Sequence, residues 1–178
     1  MTESPLLDAK DMDRTLSRMA HEIVERKTFD PQKTALVGIR TRGIYLSERL
    51  QKKIQQIENV TLPVGSLDIT FHRDDLYRLK QLPKVGTTEI PFDINGMTIV
   101  LVDDVLYTGR TIRAALDELT DFGRPARIQL AVLIDRGHRE LPIKADFVGK
   151  NIPTQDADQV QVRLKETDDK DEVVLQCQ

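Results

Sequence analysis

The sequence predicts an α/β protein organised on a parallel β-sheet, and three observations carry that expectation. Apolar runs at 34–40, 99–102 and 127–135 are short, continuous and rich in β-branched residues, as strands buried on both faces require. Between them lie stretches with apolar residues at helical spacing. Polar loops follow the three runs at 40–43, 103–111 and 135–139. Right-handed crossovers bring such loops to one edge of the sheet, where open α/β sheets bind ligands.

Each element has a local reason. Residues 11–27 read as a helix capped by Asp11 or Asp13, with Leu16, Met19, Ala20, Ile23 and Val24 as its apolar stripe. Arg14, Arg18, His21 and Glu25 fall on another face, and Phe29-Asp30-Pro31 ends the element. The strand at 34–40 passes through the turn Thr41-Arg42-Gly43 into a second amphipathic helix at 44–57. Residues 60–72 alternate as a strand would, with Pro63 and Gly65 interrupting. Residues 73–91 are polar, contain Pro83, Gly86 and Pro91, and lack periodicity, which predicts a lid or loop. Asn95-Gly96 turns into the strand at 99–102, and a helix at 109–122 stops at Gly123. Residues 127–135 form another buried strand. Short strands at 146–148, 160–164 and 173–175 read as a small C-terminal hood over about 140–178, within one domain of residues 1–178. The acidic run at 165–172 reads as a solvated turn.

Composition narrows the class. A chain of 178 residues suits one domain with a sizeable core. With 39% hydrophobic and 31% charged residues it reads as soluble and globular, and no apolar run approaches the ~20 residues that span a bilayer. The N-terminal residues lack a basic-then-apolar signal pattern, and Cys177 is the only cysteine, so a cytoplasmic location without an internal disulfide is expected. A net charge of −3 confines any nucleic-acid surface to a local patch.

The chemistry concentrates between Thr98 and Leu119. After the strand come Asp103 and Asp104, then Val105-Leu106-Tyr107-Thr108-Gly109-Arg110-Thr111, then a helix with Ile112, Ala115, Leu116 and Leu119 on one face. Ionised carboxylates only accept hydrogen bonds, so the adjacent pair suits the vicinal hydroxyls of a ribose. The following turn offers backbone N–H groups at a helix N-terminus, which favours a phosphate dianion. Gly109 allows close approach, and Thr108 and Thr111 add hydroxyl donors.

This composite resembles the phosphoribosyl-pyrophosphate (PRPP) motif of type I phosphoribosyltransferases: an apolar run, an acidic pair, then TGxT. Many members carry small residues where this chain has Leu106 and Tyr107, which shifts the expected phosphate contacts to backbone amides and threonines. The resemblance also implies that Thr41-Arg42-Gly43 is the pyrophosphate loop. GIRTRGIYLSERL, DITFHRDD, VDDVLYTGRTIRAALDEL and the stretch from GRPARIQLAVLIDRGHREL to GKNIPT are similar to one subfamily in particular, the bifunctional pyrimidine operon attenuators and uracil phosphoribosyltransferases.

That resemblance implies two activities. One joins uracil to PRPP, giving UMP and pyrophosphate with Mg²⁺ held through substrate oxygens rather than directly by protein. The other is uridine-nucleotide-dependent binding of leader mRNA of the pyrimidine operon, promoting transcription termination. Asp103, Asp104 and Arg42 become the catalytic expectation. Arg78 and Lys80 on the lid are further donors, and Arg136, His138 and Val160 are expected at the nucleobase. A histidine in a strand-end loop is more often structural than catalytic, and only its titration range makes His138 a candidate base. Arg14, Arg18 and His21, continued by Arg26 and Lys27 and joined by the distant Lys150, form the expected RNA surface. A solvated helix face explains the same charges. A homodimer or higher homo-oligomer is implied. The alternatives are a purine phosphoribosyltransferase without RNA binding and a nucleotide-sensing regulator with little catalysis.

Overall fold

A computed structural model describes residues 2–75, 84 and 86–177. Its elements in chain order are β1 (Thr2–Leu7), α1 (Ala9–Glu25), β2 (Thr34–Ile39), α2 (Arg42–Glu58), β3 (Val64–Leu67), β4 (Thr98–Leu106), α3 (Arg110–Thr120), β5 (Arg127–Asp135), β6 (Phe147–Asn151), β7 (Gln159–Arg163), α4 (Lys165–Asp168) and β8 (Glu172–Cys177). A short 3₁₀ turn at Thr70–His72 follows β3.

Five strands form one sheet in the order β3-β2-β4-β5-β6, every neighbouring pair parallel. This is the α/β architecture the alternation predicted. All six residues of β2 and the first six of β4 are buried, because helices cover both faces. On one face α1 and α2 bring Leu16, Met19, Ile23, Leu46, Leu50 and Ile54 against Leu36, Val100 and Val102. On the other, Ile112, Ala115 and Leu119 of α3 pack with Val37, Ile99 and Leu101. Odd and even residues of one strand thus enter different cores, which is why these strands read as unbroken apolar runs.

Five local expectations change, the first being the strand expected over 60–72, which is confined to Val64–Leu67 and followed by the 3₁₀ turn. The cap of α1 is Asp8, whose carboxylate accepts the Asp11 N–H at 2.7 Å, so the helix starts before Asp11 or Asp13. Residues 2–7, which carry no strand signal, pair antiparallel with β8 in a second sheet, β1-β8-β7. The strand expected in the hood near 146–148 instead extends the main sheet beside β5, so the small sheet joins both ends of the chain. The acidic run holds α4 and its ion pairs rather than a solvated turn: Arg49 of α2 meets Glu166 at 2.6 Å and Asp171 at 2.7 Å. Among the described residues no helix is long and apolar enough to cross a membrane.

Candidate active site

From β2 the chain runs through α2 to β3 on one side; from β4 it runs through α3 to β5 on the other. The carboxyl ends of β2 and β4 therefore flank a topological switch point, which leaves a crevice for a ligand. A cavity of about 550 Å³ lies there, with Thr41, Arg42, Asp103, Asp104, Val105 and Thr111 in its wall. The loops at 40–43 and 103–111 meet as expected. The 135–139 loop joins them through Arg136, whose N–H donates to the Leu106 carbonyl at 3.1 Å.

The two acidic residues differ in environment. Asp103 is 6% exposed, and its Oδ1 accepts the Asp104 N–H at 2.9 Å. Burial, reinforced by the neighbouring Asp104 charge, pushes its carboxyl well above the usual range. Asp104 is half-buried, and its Oδ1 accepts the Val105 N–H at 2.8 Å. One oxygen of each residue is thus engaged by the turn they begin.

At the Thr41-Arg42-Gly43 turn, backbone packing sets the residue types. A Cβ on Gly43 would stand 2.4 Å from the Val102 carbonyl oxygen, and one on Gly38 would stand 2.4 Å from the Gly43 oxygen. The β2–α2 turn therefore lies directly on β4. Gly43→Ala must displace that contact, so a loss of about 1–3 kcal/mol is expected, with reduced turnover, measured by denaturant unfolding and initial rates. Unchanged stability would show that the turn can move away from β4. The Arg42 guanidinium reaches Asp168 of α4, Nη2 to Oδ1 at 2.9 Å and to Oδ2 at 3.1 Å. Hydrogen bonds from Thr167 and the Leu164 N–H, then Arg42, hold the Asp168 carboxyl down at about 2.

Past the acidic pair, the Leu106 side chain is buried in the α3-side core. Gly109 caps α3 with φ of 92°, a left-handed conformation that glycine adopts without a Cβ penalty. Thr108, Arg110 and Thr111 line an adjoining cavity of about 660 Å³. The Arg110 side chain turns to Asp74 at 2.6 Å and Glu140 at 2.5 Å. The Tyr107 ring lies beneath the Arg136 guanidinium, 4.0 Å from its centroid, and its carbonyl accepts from Arg139.

Arg136 is 6% exposed and donates to Thr154 Oγ1 and the Gln155 carbonyl. Its guanidinium is engaged inside the protein, and the neighbouring Gly137 and His138 are exposed. His138 has φ of 59°, with Nε2 2.6 Å from the Thr154 carbonyl and Nδ1 2.6 Å from Asp156. Val160 lies on β7, half-buried against the α1/α2-side core.

The basic helix face is sharpened by the fold. Arg14, Arg18 and Lys150 line one open cavity of about 400 Å³, because β6 packs beside α1. Arg18 bonds to the carbonyls of Val148 and Gly149 as well as to Glu22. Arg26 turns to the Asp146 carbonyl and stands 5.0 Å from the Phe147 ring centroid. His21 and Lys27 are exposed. Arg78 and Lys80 lie outside the described residues.

Sequence reading missed four charged residues of the crevice wall: Arg40, Asp68, Arg73 and Lys84. Arg40 donates to the Thr87 carbonyl at 2.8 and 3.1 Å, and Asp68 receives Thr70 and Gly86 N–H groups. Burial opposes ionisation of Asp68, and these hydrogen bonds with the Arg40 charge outweigh it, holding its carboxyl below the usual range. Signals were available: Arg40 ends a buried strand, and Asp68 and Arg73 lie in DITFHRDD.

The phosphoribosyl transferase domain profile matches residues 4–167. The chain belongs to this family. Within it the chain falls among the proteins named bifunctional protein PyrR. It is 62% identical to that of Roseiflexus sp. (strain RS-1) over 168 residues, 94% of this chain and 91% of the relative. It is 57% identical to that of Elusimicrobium minutum, covering 97% of this chain and 96% of the relative. Among solved phosphoribosyltransferases, the hypoxanthine enzyme of Trypanosoma cruzi superposes with a TM-score of 0.70 at 19% identity, covering 97% of this chain and 95% of that one. A Staphylococcus aureus hypoxanthine enzyme gives 0.63 at 20% identity, covering 85% and 79%. These structural likenesses speak to the fold alone.

Proposed function

We propose that the crevice transfers the phosphoribosyl group from PRPP to uracil, releasing pyrophosphate and forming UMP. The same chain, carrying a uridine nucleotide, binds leader mRNA of the pyrimidine operon and promotes transcription termination. One observation supports the catalytic half most directly: Asp103-Asp104, Thr41-Arg42-Gly43 and the Val105–Thr111 turn meet at one switch point. Identity of 62% with a bifunctional PyrR protein supports both halves.

In this reading Asp104, with Asp103 behind it, receives the ribose hydroxyls. The amides of the turn, Thr108, Thr111 and the N-terminus of α3 receive the 5′-phosphate. Pyrophosphate replaces Asp168 on Arg42, with Arg40, Arg73 and Lys84 around it. Its early departure leaves oxocarbenium character on the ribose, so positioning and the nearby carboxylates supply most of the catalysis. The carboxyl oxygens of Asp68, Asp103 and Asp104 in the crevice wall would suit Mg²⁺ carried in by PRPP; the ion would be held mainly through substrate oxygens and would supply charge neutralisation for the departing pyrophosphate. The backbone at 136–138 reads the uracil edge. Arg136 acts as the positioning residue of that loop, His138 is fixed beside it, and Val160 supplies an apolar contact from β7.

The RNA surface is the face of α1 with Arg14, Arg18 and His21, together with Lys150 and, past the helix end, Arg26 and Lys27. A two-fold dimer would join two such modest patches into one. A cytoplasmic location completes the reading. The deciding experiment measures UMP formation from uracil, PRPP and Mg²⁺, beside an RNA shift with and without UMP. Consumption of hypoxanthine in place of uracil, or RNA binding indifferent to UMP, would overturn it.

The RNA placement makes its own prediction. Arg14→Ala with Arg18→Ala should weaken leader-RNA binding while uracil turnover stays near that of the parent chain. Each phosphate that the variant no longer neutralises lowers the slope of log affinity against log salt by about 0.7 for single-stranded RNA. Unaltered affinity and slope would mean the helix face is merely solvated.

A further inference from the structure

Outside the crevice, three side chains with metal-ligating atoms converge on the surface. His72, in the turn after β3, places Nε2 2.8 Å from Glu118 Oε2 and 3.4 Å from Asp121 Oδ2. The ligating atoms of all three residues lie within 4.8 Å of one another. Glu118 is in the last turn of α3 and Asp121 is its C-cap, where the helix dipole favours a cation. We propose that His72, Glu118 and Asp121 form a binding site for one divalent transition ion of the zinc class, distinct from the magnesium that accompanies PRPP.

The donor set argues for that class. Magnesium and calcium take oxygen donors, whereas an imidazole with two carboxylates suits zinc and its neighbours. Two carboxylates and a neutral imidazole also match the charge of a divalent ion. Metal–ligand distances of about 2.0–2.1 Å in a tetrahedron separate adjacent donors by about 3.3–3.4 Å. The His72–Asp121 edge already has that length, and the His72–Glu118 edge needs a small opening.

Outer contacts hold the set in place. Thr88 Oγ1 donates to the other Glu118 oxygen at 2.8 Å, and Arg113 donates to the His72 carbonyl at 3.0 Å. The Arg113 charge is itself met by Asp117 at 3.2 Å. The Asp121 side chain is 66% exposed, which leaves a path for the ion and room for water as the fourth ligand. An ion there would pin the turn that leads into residue 73 onto the end of α3.

The test titrates the full chain with Zn²⁺ alone in equilibrium dialysis, and with Co²⁺ alone while following its visible ligand-field bands. One ion per chain and a low-symmetry cobalt spectrum are expected. His72→Gln and Asp121→Asn should each abolish both, the latter at an exposed position where the fold is not at stake. Thr88→Val should keep the site and weaken it by about 10- to 100-fold, the usual cost of losing an outer-shell partner. His21→Ala should leave binding unchanged. Absence of binding by the parent chain, or unaltered stoichiometry and spectrum in both His72→Gln and Asp121→Asn, would overturn the proposal.

Discussion

Asp104→Asn is expected to lower kcat/KM for uracil phosphoribosylation by about 10²–10³, or roughly 2.7–4 kcal/mol of transition-state stabilisation. Three features make the effect catalytic rather than structural. The residue is only half-buried; it sits in the crevice wall; and the bond it gives the fold runs from the Val105 N–H to Oδ1, which an Asn Oδ1 can keep. What the amide cannot supply is negative charge beside a ribose that is losing pyrophosphate. Circular dichroism and melting should therefore match the parent chain while turnover collapses. A folded variant with unchanged kcat/KM would remove Asp104 from the ribose.

Asp103→Asn should cost turnover on a similar scale, about 10²–10³, yet raise thermal stability near neutral pH. Its carboxyl is buried and its protonation is favoured in the folded state, by burial first and the Asp104 charge second. A carboxyl whose folded pKa is raised stabilises the fold below its ordinary, unfolded value, and that contribution is lost as pH rises through the folded value. The asparagine, which cannot ionise and can still accept the Asp104 N–H, escapes that loss. The variant's advantage in Tm should therefore be small near about pH 4 and larger near about pH 8. In a domain of this size each kcal/mol relieved raises Tm by about 2–4 °C. An advantage independent of pH would mean that shape, not charge, is responsible. A site that strains its scaffold for chemistry gives this pairing of gained stability with lost activity.

The motif from Thr98 to Leu119 was legible because every feature in it is set by near neighbours. A β-branched run makes a strand, Gly109 permits the left-handed cap, and the period of Ile112, Ala115 and Leu119 makes a helix over a known face. The same holds for β2 and its Thr41-Arg42-Gly43 turn, so the convergence of the loops at 40–43 and 103–111 followed once the crossovers were taken as right-handed.

Other features exist only through distant partners. Residues 2–7, polar and broken by Pro5, become a strand because β8, from the other end of the chain, supplies the ladder. Phe147–Asn151 is too short to declare its sheet, and β5 decides it. The charges are the clearest case. In one dimension Arg42 is a free oxyanion partner and Asp168 a solvated acid, but folding sets them 2.9 Å apart. Arg136, expected with the backbone around it at the nucleobase, has a guanidinium that donates to Thr154 and Gln155. His72, Glu118 and Asp121 carry no shared signal at all until α3 docks against the turn after β3. Backbone preference is a property of a few consecutive residues. Which charge a side chain meets is a property of the closed chain, because Coulomb and hydrogen-bond partners are chosen by distance in space and not by separation in sequence.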